Sequence, residues 1–440
     1  MTWFYKLNVI DGPLPLVIYG LTVIAIVVLL IRRPTPAWLW RIVIALAVGI
    51  GGGVGIVLWV NSTHAFGLGN MPLPSASILW LPAGFTATML GIVSLWERGV
   101  WRKIVALLLV LLALVSTALG VNAAFGVNTT VGSMFGISVE EPIHSLPKPA
   151  PTATLDGPLY RTWNPPSDMP AKGTRGTIEI PSGSKFAPRP ALLYLPPAAL
   201  VRSEAPPRLP LIVMMMGKPG TPTLDFIAPV LDEMASKNKG LAPIVIVADQ
   251  LGPSGGLEGS TPDPACADSA EYGDVDAYFN QVIPKYAKDR LNVLTDPKDW
   301  TIMGYSNGGA CAFTWAARHP GIWGNMIAIS GDEYPGIEQR AQVIKETFGG
   351  DEKKFEANKP AAALQTNAGA FKDHLALFTV GGADPTFMDY AARMVQQAKD
   401  AGFDPVHQVI PGADHVGGAL KGGIPFAMDR LYRRLGLSAP

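Results

Sequence analysis

Charge is what this chain has least of. Asp, Glu, Lys and Arg make up 16% of its 440 residues, against roughly 25% in an average soluble protein. Its 35 basic and 35 acidic side chains cancel. No positive excess exists to displace counterions, which excludes a nucleic-acid binder held by a basic face. A largely disordered chain would be charge-rich and poor in apolar residues; here 48% of residues are apolar. Cysteine is scarce, at two residues, and histidine at six. No HExxH or CxxC pair occurs, so no metal and no other cofactor is expected.

Long apolar runs are what the chain does have, and they lie at the front. Residues 14–31, 42–60, 76–96 and 104–126 carry no charge. Each reaches or approaches the ~20 residues that cross a bilayer core as a helix. Four such runs joined by short loops predict a four-helix transmembrane region over residues 1–136, rather than buried helices of a soluble core. A cleaved signal peptide fits poorly, because no small-residue cleavage site follows the first run. Arg32, Arg33 and Arg41 flank the first connection; Arg98, Arg102 and Lys103, offset by Glu97, flank the third. The second, at 61–75, has neither Lys nor Arg. The positive-inside rule then puts both termini, and everything after residue 126, outside the cytoplasm. Gly49, Gly51, Gly52, Gly53 and Gly55 on the second helix allow another helix backbone to approach closely. That helix is expected to pack within the chain, with self-association as the alternative. No helix carries a charge near its middle, so an anchor is expected rather than an ion pathway.

Residues 137–173 hold eight prolines and read as a stiff, extended linker. From 174 to 440 the pattern changes. Apolar strand-like runs at 209–216, 243–249, 300–304, 325–330, 375–381 and 406–410 alternate with helical stretches at 223–237, 274–288, 308–318, 386–400 and 423–435. This alternation predicts a mostly parallel sheet covered on both faces. Such a sheet takes its ligand at the carboxyl ends of the strands. The segment 333–372, between two strands, is the expected cap over that edge.

Gly304-Tyr305-Ser306-Asn307-Gly308 fits G-x-S-x-G. An apolar strand precedes it and an Ala-rich helix follows, the context of a nucleophile elbow. Ser306 needs a base, and the chain order Ser, acid, His narrows the choice. His319 ends the elbow helix, His374 opens a strand, and His407 lies within one. His415 lies in a loop past the end of a strand and is the expected base. Asp384, in the loop after strand 375–381, is the expected acid. Asp332, after the preceding strand, is its rival; Asp414 is too close in sequence to reach the far imidazole nitrogen. The oxyanion donors are expected from the backbone N–H groups of Asn307 and Lys218, the Lys218 side chain being solvated or lending positive charge. Cys266 and Cys311, in an extracytoplasmic domain, are expected to form a disulfide. A cysteine nucleophile is the alternative, and neither has elbow context.

The stretches PACADSAEYGDVDAYFNQVIPKY, GYSNGGACAFTWAARHPGIWGNMIAISGDEYPG and PGADHVGG resemble the putative-esterase branch of the α/β-hydrolases, over about 175–437. That branch includes feruloyl-type esterases, S-formylglutathione hydrolases and actinobacterial mycolyltransferases. The N-terminal helices and the paired cysteines are similar to its membrane-anchored actinobacterial members. The resemblance implies an α/β-hydrolase fold and acyl chemistry by Ser306, Asp384 and His415. Two positions depart from it. Met216-Gly217 stands where relatives often have His-Gly, and Val416-Gly417 follows the histidine where mycolyltransferases have Ser-Trp. The expected protein is a multi-pass cell-membrane serine ester hydrolase with an extracytoplasmic catalytic domain. Its expected substrate is an amphiphilic ester: a membrane lipid, an aminoacylated lipid or an envelope glycolipid. Acyl transfer to a sugar or lipid hydroxyl and a non-catalytic envelope-binding role are the alternatives.

Overall fold

The computed structural model describes residues 2–63, 73, 75–96, 99–126, 128–135, 137, 139–144, 146, 157–202, 206–253 and 262–440. Most of the uncharged connection 61–75, together with Glu97 and Arg98, lies outside the described residues. The chain divides into two units, Met1–Val139 and Glu140–Pro440.

The first unit holds four long helices: α1 (Pro13–Leu30), α2 (Pro36–Thr63), α3 (Ser75–Ser94) and α4 (Val100–Phe125). All four are long and apolar enough to cross a membrane. Their outer faces carry what a water-soluble bundle would hide: Leu16, Leu58, Leu79 and Leu111 are all more than half exposed. In a bilayer there would be no hydrophobic drive to bury such residues, and close packing and hydrogen bonds would hold the helices together instead. Thr22 on α1 meets Ser116 on α4 at 2.8 Å between hydroxyl oxygens. Gly49 and Gly53 sit so close to Thr86 and Pro82 of α3 that a Cβ at either would collide with its backbone. These two glycines are therefore used inside the chain, as the intramolecular expectation required. Gly51 and Gly55 face open space.

The second unit is built on one eight-stranded sheet. Its strands are β1 (Thr174–Ile178), β2 (Ala191–Leu195), β3 (Leu211–Met215), β4 (Ile244–Val247), β5 (Trp300–Tyr305), β6 (Asn325–Ile329), β7 (Leu375–Gly381) and β8 (Asp404–Ile410). Their order is β1-β2-β4-β3-β5-β6-β7-β8. β2 runs antiparallel to β1 and β4; every other neighbouring pair is parallel. β3, β5 and β7 are buried along their whole length, as strands covered on both faces must be. The connecting helices are α5 (Ala228–Lys237), α6 (Ile283–Arg290, preceded by a π turn), α7 (Asn307–Arg318), α8 (Pro385–Ala401) and α9 (Gly417–Arg434). α9 starts six residues earlier than the expected 423. A Cβ at Gly422 would strike Ile410 and one at Gly423 would strike Thr379. They are small so that this helix can press on the sheet.

The stiff, extended linker expected over 137–173 packs on its neighbours at residues 141–143 and 159–163. Thr177 N–H donates to the Glu141 carbonyl and Ile143 N–H to the Thr177 carbonyl, both at 3.0 Å. Residues 141–143 thus pair with the edge strand β1. Leu159–Thr162 is a short helix, and Trp163 is buried with its indole N–H on the Lys239 carbonyl at 3.0 Å. The prolines stiffen the chain, but the apolar residues among them have a surface to bury against. Residues 147–156, at the middle of this segment, lie outside the described residues.

Candidate active site

β5 runs into Ser306, whose φ of 53° and ψ of −121° break the strand before α7 begins at Asn307. A serine rarely adopts this left-handed conformation, and holding it costs on the order of 1–3 kcal/mol. The neighbours over-determine it. Ser306 N–H donates to the Ile329 carbonyl at 2.9 Å. The Ser306 carbonyl accepts the N–H groups of Gly309, Ala310 and Asp332. A Cβ at Gly304 would overlap the Gly308 carbonyl, and one at Gly308 would overlap that of Met216. Only glycine leaves room for the turn to be this sharp.

The hydroxyl so presented meets an imidazole. His415 Nε2 lies 3.1 Å from Ser306 Oγ, and His415 Nδ1 lies 2.7 Å from Asp384 Oδ2. Asp384 is the N-cap of α8, and its other oxygen accepts the Phe387 N–H at 3.4 Å. Ser306 and Asp384 are 3% and 4% exposed. The Phe387 ring packs on the imidazole with centroids 3.9 Å apart, and Tyr305 lies on it at 5.4 Å. With Nδ1–H donated to the carboxylate, Nε2 is left as an acceptor for the serine proton.

The other candidates go elsewhere. His319 bonds Asp276 at 2.9 Å and His374 bonds the Pro320 carbonyl at 3.0 Å. His407 lies mid-strand in β8, in register with Phe378. Asp414 accepts the Val416 and Gly418 N–H groups, which tie down the loop that carries His415.

Asn307, as the first residue of α7, has a backbone N–H with no partner inside the helix. The loop holding Lys218 runs against the nucleophile: a Cβ at Gly217 would lie 3.1 Å from Ser306 Cβ. The Lys218 side chain is not solvated. It is buried, with Nζ 3.0 Å from Asp263 Oδ2 and 2.9 Å from Gln339 Oε1. Asp263 also accepts from the Asn307 side chain at 3.4 Å, and Gln250 donates to the Met216 carbonyl at 2.6 Å and to Asn307 Oδ1 at 3.2 Å. Gln250, Asp263 and Gln339 were not expected from the sequence. Gln250 alone carried a signal, as a polar residue at the carboxyl end of a buried strand.

Cys266 and Cys311 form a disulfide, with Cα atoms 5.3 Å apart and a sequence separation of 45. A loop of that length corresponds to about 4 kcal/mol on the chain-entropy account. It fastens the segment carrying Asp263 to α7. The segment 333–372 contributes three short helices, Arg340–Glu346, Glu352–Asn358 and Pro360–Thr366. Thr347 and Asn358 donate to the carbonyls of Asp263 and Ala265 at 2.9 and 2.8 Å, so cap and disulfide loop form one structure. Asp332 and Glu338 at its start are crowded by like charge. Burial, then Glu338 and Asp263, raise Asp332 well above the usual carboxylate range, against the opposing Lys218. Burial also pushes Glu338 up to about 7, again with Lys218 opposing.

A mostly parallel sheet bearing a serine on a strained strand-to-helix turn defines an α/β-hydrolase. The chain belongs to the family described as "Putative esterase", whose model matches residues 187–413. It is thus an esterase by family. An uncharacterized protein of Corynebacterium glutamicum is 28% identical over 357 residues, 78% of each chain. Among solved structures, an S-formylglutathione hydrolase from Agrobacterium tumefaciens is 16% identical, with a TM-score of 0.49 over 61% of this chain and 98% of its own. A ferulic acid esterase from Anaeromyces mucronatus is 14% identical, with a TM-score of 0.43 over 63% of this chain and 96% of its own.

Proposed function

We propose that this protein is a serine ester hydrolase anchored in the cell membrane by residues 1–136, with its catalytic domain on the outer side. The single observation that carries the catalytic part is the relay of Ser306, His415 and Asp384 at 3.1 and 2.7 Å. Ser306 Oγ attacks the ester carbonyl carbon while its proton passes to His415 Nε2. The N–H groups of Asn307 and Lys218 receive the negative charge that develops on the carbonyl oxygen. The tetrahedral intermediate collapses, the bond to the alcohol oxygen breaks, and His415 returns the proton to that oxygen. Water then attacks the acyl-enzyme, gives its proton to the same nitrogen, and releases the acid as Ser306 recovers its hydrogen. Asp384 holds the imidazole in the tautomer that both halves need.

The membrane part rests on the helix count and on the arginines at 32, 33, 41, 98 and 102. With those loops inside, an even number of crossings leaves the catalytic domain outside. An enzyme fixed there meets amphiphilic esters: membrane lipids, aminoacylated lipids or envelope glycolipids. A membrane-impermeant fluorophosphonate added to intact cells is expected to label this protein, and a Ser306→Ala variant is expected to remain unlabelled. Labelling only after the cells are broken would contradict the orientation.

A further inference from the structure

The edge of the sheet around Ser306 holds more carboxyl groups than its own cations balance. Asp263, Asp332 and Glu338 come together there with a single ammonium, that of Lys218. Lys218 Nζ is already committed to Asp263 and Gln339. No cation among the described residues pairs with Asp332 or Glu338. Asp332 is 2% exposed, and its Oδ1 accepts no hydrogen bond. Its own backbone N–H donates to the Ser306 carbonyl at 3.3 Å, which puts it beside the nucleophile's main chain. Asp384 also faces it, and that carboxylate is occupied by His415.

Ionising a buried carboxyl group without a donor is expensive, which is why Asp332 and Glu338 hold their protons above the usual carboxylate range. The outward-facing neighbours do not relieve it: Glu333 takes Arg393, and Arg340 takes Glu352. A neutral acyl group bound beside Ser306 adds no donor. An ammonium adds three, together with the missing charge. Because the Asp332 N–H bonds the Ser306 carbonyl, an ammonium received by Asp332 belongs to the part of the substrate near the carbon under attack. A primary amine on the carbon next to the scissile carbonyl meets that condition.

Resting on the esterase reading of Ser306, we infer that the substrate is an α-aminoacyl ester whose ammonium is received by Asp332, with Glu338 supporting it. The amino group enters charged, pairs with Asp332 as that carboxyl gives up its proton to solvent, and leaves with the released amino acid. The acyl group is thereby selected by its charge rather than by its length.

The test uses the full-length protein in detergent and two esters of one neutral alcohol. A glycine ester and a propionate ester differ only in ammonium against methyl. After correction for their rates with hydroxide, wild-type kcat/KM is expected to favour the glycine ester by about 10- to 100-fold, as a buried charged hydrogen bond would give. Asp332→Asn is expected to remove most of that preference, and Glu338→Gln part of it. The ratio is taken within each preparation, so it does not depend on how much of a variant is folded. An ethanolamine ester of propionate carries the same ammonium on the alcohol side and is expected to gain nothing. Equal rates for the glycine and propionate esters, a preference retained in Asp332→Asn, or a preference for the ethanolamine ester would each overturn the inference while leaving Ser306 as the nucleophile. No turnover of either acyl ester and no fluorophosphonate labelling would overturn both.

Discussion

Replacing His415 with alanine is expected to lower kcat/KM for ester hydrolysis by about 10⁵- to 10⁶-fold. The serine hydroxyl holds its proton tightly at neutral pH, and without Nε2 at 3.1 Å nothing takes it as the new bond forms. The same nitrogen must protonate the departing alcohol, accept from water and reprotonate Ser306, so all four transfers fail together. What remains is the contribution of the oxyanion donors and of binding. His407→Ala is the matched control. That residue lies mid-strand in β8, and its removal is expected to change kcat/KM by no more than about twofold, as for a surface substitution away from the chemistry. A loss in His407→Ala comparable to that in His415→Ala would show that the base had been misassigned.

The second large effect is expected from Asp384→Asn, at about 10⁴-fold in kcat. The substitution keeps the size of the side chain and can keep the cap on α8. It reverses one hydrogen bond. An amide NH₂ facing His415 Nδ1 favours the tautomer with its proton on Nε2, and a protonated Nε2 cannot accept from Ser306. The imidazolium formed during attack also loses the carboxylate at 2.7 Å. Unfolding midpoints of the variant and wild type separate this from instability: the account expects them to be close while the rates differ. An Asp384→Asn enzyme with near wild-type kcat would point to another acid orienting His415.

The parts of this molecule that follow from local pattern were legible in the sequence. The four apolar runs, the alternation of strands and helices, and the turn at Ser306 each depend on residues adjacent in the chain. The order Ser306, Asp384, His415 could be read because each lies just past the end of a strand, where loops meet on one edge. The supporting groups were not legible. Lys218 looked like an exposed loop lysine; its burial depends on Asp263 and Gln339, which lie 45 and 121 residues away. α9 starts at Gly417 rather than 423, and Gly422 and Gly423 serve contacts with Ile410 and Thr379 that only the fold creates. The contacts of the Pro-rich segment were not legible because they are non-local, residues 141–143 meeting Thr177 and Trp163 meeting Lys239, 76 residues on. The excess of carboxylates around Asp332 could not be seen at all without the fold. Asp263, Glu338 and Lys218 are unremarkable where they stand in the chain.

The most direct test of the central claim is to catch the acyl group on the enzyme. Full-length protein is mixed with an activated ester, quenched in acid within a fraction of the turnover time, digested, and its peptides weighed. The account predicts that the peptide containing Ser306 gains the mass of the acyl group minus one hydrogen, and that Ser306→Ala shows no such peptide and no turnover. Turnover that persists in Ser306→Ala, or an acyl group found on another residue, would contradict it.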